Sequence, residues 1–178
     1  MKIYDCTTFY SEHMMLEIRF NILNEFVHKF IVVESLYSHS GKKKKLNFDI
    51  NNYPKFKDKI IYLVIDKEPQ NLIRHDSNLK QHEKRINSLK RIDLSYDYMQ
   101  KGIEQASEED LIILSDNDEI PNLNAELFKK TNKNIIIFKQ LFFYYKFNLL
   151  YDRMSWFGSK ACKKKYLKSF SWLRHIKN

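Results

Sequence analysis

In the run Asp110-Leu-Ile-Ile-Leu-Ser-Asp116-Asn-Asp118-Glu119-Ile-Pro121 an apolar stretch leads into three carboxylates and is stopped by proline. Asp116, Asp118 and Glu119 stand within four residues, so they repel one another unless a cation or basic partner neutralises them. An Asp-x-Asp at a strand end can hold Mn²⁺ or Mg²⁺ through oxygen while that cation grips a diphosphate. Metal-assisted chemistry on a phosphate or diphosphate is what such a site could do. A plainer reading makes the acids helix caps or solvated loop residues, but a cap needs only one of the three.

Such a cluster has to be positioned by a sheet. Leu111 to Leu114 form a continuous apolar run, the pattern of a strand buried on both faces of a parallel sheet, and ligands sit beyond the carboxyl ends of such strands. Upstream, the pattern predicts a strand at Ile3 to Thr8 and a helix from Glu12 to Val27 with Ser11 as its N-cap. A second strand, Lys29 to Ser35, then lies parallel to the first after a right-handed crossover. Ile60 to Ile65 is a third strand, and Asn78 to Gln105 is helical in one or two pieces. Beyond Pro121, a short helix is expected at Asn124 to Lys130, followed by a strand-rich stretch from Ile135 to Phe147 whose aromatics are mostly core. Glu12 and Arg19, seven apart, share a helix face and are expected to pair. The alternation predicts an α/β fold with a mainly parallel central sheet.

With 178 residues, 43% of them hydrophobic, the chain has material for one domain. Its net charge of +9 is uneven: Arg153 to Asn178 carries eight Lys or Arg and no acid, leaving +1 for the rest. In that tail Trp156, Phe157, Tyr166, Phe170 and Trp172 alternate with Lys160, Lys163, Lys164, Lys165, Lys168 and Arg174. The mixture suits an anionic membrane surface or a nucleic acid, or else a solvated face over a completed core. No apolar run reaches membrane-spanning length and no leader-like stretch opens the chain, so a cytoplasmic protein is expected. Cys6 and Cys162 lie far apart without ligand spacing and read as buried thiols. With only Gly41, Gly102 and Gly158, there is no dinucleotide fingerprint and no P-loop, so a diphosphate must be held by a metal and side chains.

Several segments recur in a recognisable order over residues 2–121. They are Ile3-Tyr-Asp-Cys-Thr-Thr-Phe9 followed by Glu12 and Leu16-Glu-Ile-Arg19, then Ile31-Val-Val-Glu34-Ser with Ser40-Gly41-Lys42 and Leu46, then Ser115-Asp-Asn-Asp-Glu-Ile-Pro121. Together, with the aromatic stretch from Tyr145 to Trp156, they resemble glycosyltransferase family 17, whose best-known members are β-1,4-mannosyl-glycoprotein 4-β-N-acetylglucosaminyltransferases. The resemblance implies a GT-A-like nucleotide-sugar-binding fold over residues 1–152, with 153–178 as a basic aromatic segment of the same domain. It implies inverting transfer of a sugar, N-acetylglucosamine at family level, from a UDP-sugar to a glycan or glycolipid, with Mn²⁺ or Mg²⁺ at the Asp-x-Asp.

By the same resemblance Asp116 and Asp118 serve the metal and donor, Asp118 as direct ligand, while Thr8, Phe9 and Glu34 lie beside the nucleotide. Family members carry an arginine shortly before the glycine that closes the long helix. Here that turn reads Tyr96-Asp-Tyr-Met-Gln-Lys101 before Gly102, so Arg85, Lys90 and Arg91 become the candidate cations for the diphosphate. The family's later Gly-Trp-His segment is absent, and a C-terminally truncated member is expected. For the base that takes the acceptor's proton, the candidates are Glu119 and Asp152. A metal-dependent nuclease is the rival enzyme class, disfavoured because the lysines concentrate away from the acids; nucleic acid is not the expected partner. The non-catalytic alternative is a truncated transferase domain that binds a sugar nucleotide or docks to a partner. The tail further suggests peripheral contact with an anionic membrane at its inner face.

Overall fold

The computed structural model describes residues 1–75, 78–123 and 133–177. The helix expected at 124–130 lies outside the described residues. Six strands form one sheet: β1 (Ile3–Thr8), β2 (Lys29–Ser35), β3 (Ile60–Ile65), β4 (Leu111–Ser115), β5 (Ile135–Ile137) and β6 (Lys160–Lys163). Their order across the sheet is β3-β2-β1-β4-β6-β5. The pairs β1–β2, β1–β4 and β2–β3 are parallel, whereas β6 runs antiparallel to both β4 and β5. The fold is thus mixed α/β with a mostly parallel sheet, consistent with the GT-A-like architecture.

The central strands are apolar at nearly every position because both faces are covered. Alternate side chains divide between two cores: Phe30, Val32, Leu111 and Ile113 join one, and Ile31, Val33, Ile112 and Leu114 the other. The first core is closed by helix α1 (His13–Leu23), through Leu16, Phe20 and Leu23, and by Phe48, Tyr53 and Phe56 from the segment before β3. The second is closed by helix α2 (Gln81–Asp97), the 3₁₀ turn Tyr98–Ile103 and helix α3 (Phe170–His175), which supply Tyr96, Met99, Ile103, Phe170 and Leu173. Each fully buried side chain of this size contributes about 1.5–3 kcal/mol. Both cysteines are buried free thiols, and burial pushes that of Cys162 up to about 11.

Several expectations are corrected. Ser11 does not cap α1; the cap position is Glu12, whose carboxylate turns back to accept the N–H groups of Tyr10 and Ser11. The helix ends at Leu23, and Val27 is buried from the turn that follows. Glu12 and Arg19 do not pair, because Arg19 lies on the apolar face with Leu16, Phe20 and Leu23 and is fully buried against Asp5. The stretch from Ile135 to Phe147 gives only the three-residue β5, and its aromatics are not mostly core. Beyond it, bridges Gln140–Trp156 and Phe143–Leu150 close a hairpin on itself, leaving Leu141, Tyr144, Tyr145 and Phe147 exposed, with Tyr145 at φ 63°. The tail is not a free basic surface either. Lys160-Ala-Cys-Lys163 inserts as β6 between β4 and β5, Lys163 and Lys165 both pair with Glu109, and Lys164 donates to the carbonyls of Glu104 and Ala106.

Candidate functional site

Strand order reverses beside β1: β2 and β3 lie to one side of it and β4 to the other, which makes the β1–β4 edge the topological switch point. Thr7 pairs with Ser115, so the next step along both strands sets Thr8 beside Asp116. A cavity of about 660 Å³ opens there. It is lined by Thr8, Phe9 and Val33 from strand ends, by Asp116, Asn117 and Asp118, and by Tyr10, Glu12 and Met15 around the start of α1. From α2 come Arg85, Leu89, Ile92, Asp93, Ser95 and Tyr96, from the loop after β2 Tyr37, His39 and Lys44, and from α3 Arg174 and His175.

A buried ion pair fixes the acidic loop from below. The Arg19 guanidinium, on α1, donates to both carboxylate oxygens of Asp5 on β1, at 2.7 and 2.6 Å. It also donates to the carbonyls of Asp116 and Glu119, at 3.3 and 2.9 Å. One guanidinium with good fork geometry thus satisfies a buried carboxylate and two loop carbonyls together. Asn117, next in the loop, is buried, and among the described residues its Oδ1 has no hydrogen-bond partner.

The two aspartates of the Asp-x-Asp differ sharply. Asp118 is exposed on the cavity and makes no hydrogen bond or ion pair among the described residues. Asp116 accepts from the Tyr96 hydroxyl at 2.5 Å on one oxygen and from Arg174 Nη2 at 2.6 Å on the other. Arg174 Nε in turn donates to the Tyr96 oxygen at 3.2 Å. Burial raises the Tyr96 hydroxyl well above the usual phenol range, and the adjacent Asp116 charge adds to this. Among the described residues no group of three or more His, Cys, Asp or Glu is placed to hold an ion. A divalent cation, if bound, would be held by Asp118, whose carboxylate is free to give it an oxygen ligand.

Thr8, Phe9, Arg85, Asp116 and Asp118 are therefore brought together, and Arg85 lines the cavity exposed and unpaired among the described residues. The other expected site residues are placed elsewhere. Glu34 is fully buried and ties down the following loop, accepting from the N–H groups of Asn47 and Phe48, the Tyr62 hydroxyl and the Lys44 ammonium. Lys90 reaches the Asn71 carbonyl. Arg91 pairs with Glu68 at 2.5 Å and donates to the His39 carbonyl, under a turn where Gly41 has φ +87° and a Cβ would lie 2.5 Å from the guanidinium. Glu119 is buried away from the cavity, accepting from Trp156 Nε1 at 2.9 Å and from the Asp116 N–H at 3.0 Å. Burial first, then the Asp116 charge, holds its carboxyl above the ordinary range. A Cβ at Gly158 would fall on that same carboxyl and 2.6 Å from the indole nitrogen, so the pairing requires glycine there. Asp152 is exposed and does not line the cavity.

Among the titratable groups that do line it, partial desolvation first, with Arg85 set against the opposing Asp116 charge, holds His39 below its usual range. Burial pushes the Glu12 carboxyl up, but the Ser11 and Tyr10 N–H groups outweigh it, and the net shift is downward. Two features escaped sequence reasoning. The Asp5–Arg19 clamp was visible only as a charge inside each of two apolar patterns, and Arg174 carried no signal beyond membership of the basic tail.

The family model of glycosyltransferase family 17 matches residues 1–178 of the chain. No curated protein matches it.

Proposed function

We propose, because the chain belongs to glycosyltransferase family 17 and so is a glycosyltransferase with a sugar donor and a glycan acceptor, that the donor is a UDP-sugar, with N-acetylglucosamine the sugar, transferred with inversion. The nuclease alternative falls with that membership. The observation that supports the finer reading is that Asp118 and Arg85, both unpartnered among the described residues, line one cavity at the β1–β4 crevice. Asp118 would hold Mn²⁺ or Mg²⁺, which when bound stabilises the departing diphosphate. Phe9, Tyr10 and Tyr37 offer aromatic surface for the base. Of the acids in the cavity, Asp116 and Asp118 face the cation, and Glu12 is occupied by backbone N–H groups. That leaves Asp93, half-buried on α2, as the carboxylate to take the acceptor hydroxyl's proton.

Work on a lipid-linked or surface glycan at the inner face of a membrane belongs to the same reading. The exposed apolar hairpin, more than the internally paired tail lysines, supports it. Calorimetric titration of UDP and UDP-N-acetylglucosamine, with and without Mn²⁺, tests the donor site. Metal-dependent binding to the wild type, lost in Asp118→Ala, is expected; equal binding by both proteins would remove Asp118 from the site.

A further inference from the structure

We propose, on the donor reading just given, that Arg174 is the guanidinium that receives the donor's diphosphate, and that Asp116 holds it until donor and divalent cation arrive together. Arg174 lines the cavity, and its side chain is 28% exposed while bonded to Asp116. Its backbone is anchored independently: Phe170 and Leu173 of α3 are buried, Ser169 Oγ accepts from the Trp172 N–H at 3.0 Å, and the Arg174 carbonyl accepts from Lys160. A long side chain on a fixed helix can change partner without disturbing the core. Arg85 alone would present one guanidinium to the two phosphates of a diphosphate, and Arg174 adds a second planar fork matched to phosphate oxygens.

The charges around Asp116 make the exchange necessary. Asp116 and Glu119 are offset by Arg174 and Lys160, which leaves Asp118, unpartnered among the described residues, as the charge still open to a cation. A divalent cation arriving alone at Asp118 can take Asp116 as a second ligand only against Arg174, which already occupies that oxygen, and with Lys160 adding positive charge to the same cluster. A diphosphate draws the guanidinium toward itself, frees that oxygen and cancels the excess charge. Cation and diphosphate therefore favour each other's binding, and such coupling is reciprocal, commonly about 5–150-fold. Tyr96, bonded to both Asp116 and Arg174, keeps the carboxylate aimed while the guanidinium leaves.

The test is titration calorimetry with Mn²⁺ alone, UDP alone and UDP with saturating Mn²⁺, on folded wild type, Arg174→Ala and Arg174→Lys. In the wild type, UDP should tighten Mn²⁺ binding by about tenfold. Arg174→Ala should move the two ligands in opposite directions: Mn²⁺ alone binds more tightly, UDP binds about tenfold more weakly, and the coupling shrinks. Arg174→Lys, which keeps the charge without the fork, should fall between them for UDP and decides the question if the alanine variant does not fold. Weakening of both ligands, or unchanged UDP affinity in a protein whose wild type binds UDP, overturns the role of Arg174 and leaves the donor site standing. Absence of UDP binding by the wild type in every condition overturns the donor reading and this proposal with it.

Discussion

Asp116 and Asp118 are two residues apart and differ in what they can do. Among the described residues Asp118 has its lone pairs free, while Asp116 spends both oxygens on Tyr96 and Arg174. The sequence pattern identified the pair because clustered acids after an apolar strand are improbable without a cationic partner. It could not divide their labour, since the partner of Asp116 comes from 58 residues away. The same limit applies to the base: Glu119 looked available by proximity in sequence, yet the turn after β4 sets it against Trp156. For Asp93, the expected outcome of Asp93→Asn is a kcat lower by about 10²–10⁴ with UDP affinity nearly unchanged. Initial-rate kinetics alongside calorimetry check it, and an equal loss of donor affinity would mark Asp93 as a binding residue instead.

Among the elements, β1 to β4 and the helices between them were readable because buried parallel strands announce themselves as apolar runs and α1 by its 3–4 spacing. The hairpin after β5 was misread for a physical reason: aromatic density signals a core only where a second layer exists to cover it, and none among the described residues covers this one. β6 was hidden because lysines at Lys160 and Lys163 masked a strand whose interior is only Ala161 and Cys162. The join between elements that matters most is Asp5 on β1 with Arg19 on α1, which also holds the loop after β4. Arg19→Met leaves Asp5 buried and unpaired, and a loss of about 3–5 kcal/mol is expected by denaturant unfolding. The double replacement Asp5→Leu with Arg19→Met should recover much of that stability, because no lone buried charge remains, but not donor binding, because the loop carbonyls stay untethered.

For the whole molecule, the +9 charge suggested a basic arm, and the fold distributes it otherwise. Glu109 takes two of the tail lysines, Lys160 is buried, and the prominent unpaired surface is apolar: Tyr145 is 88%, Leu141 70% and Phe147 61% exposed. If the protein works at a membrane, co-sedimentation with phosphatidylserine-containing vesicles should fall in a Tyr145→Glu, Phe147→Glu variant whose melting temperature is unchanged. Retention equal to wild type would place the contact elsewhere, and no retention of the wild type would end the membrane reading.

The central position of β1 also has a consequence in time. One edge of β1 pairs with β2 soon after it in sequence, but the other waits for β4; the Lys2 N–H finds the Asp110 carboxylate across a separation of 108 residues. During synthesis at about 5–20 residues per second, that edge stays open for about 5–20 s while Asp5 and Arg19 have only each other. An open strand edge is a template for the wrong partner. The nascent chain is thus most vulnerable to misassociation before residue 111 has emerged, and the cavity at the β1–β4 crevice is among the last parts of the protein to come into being.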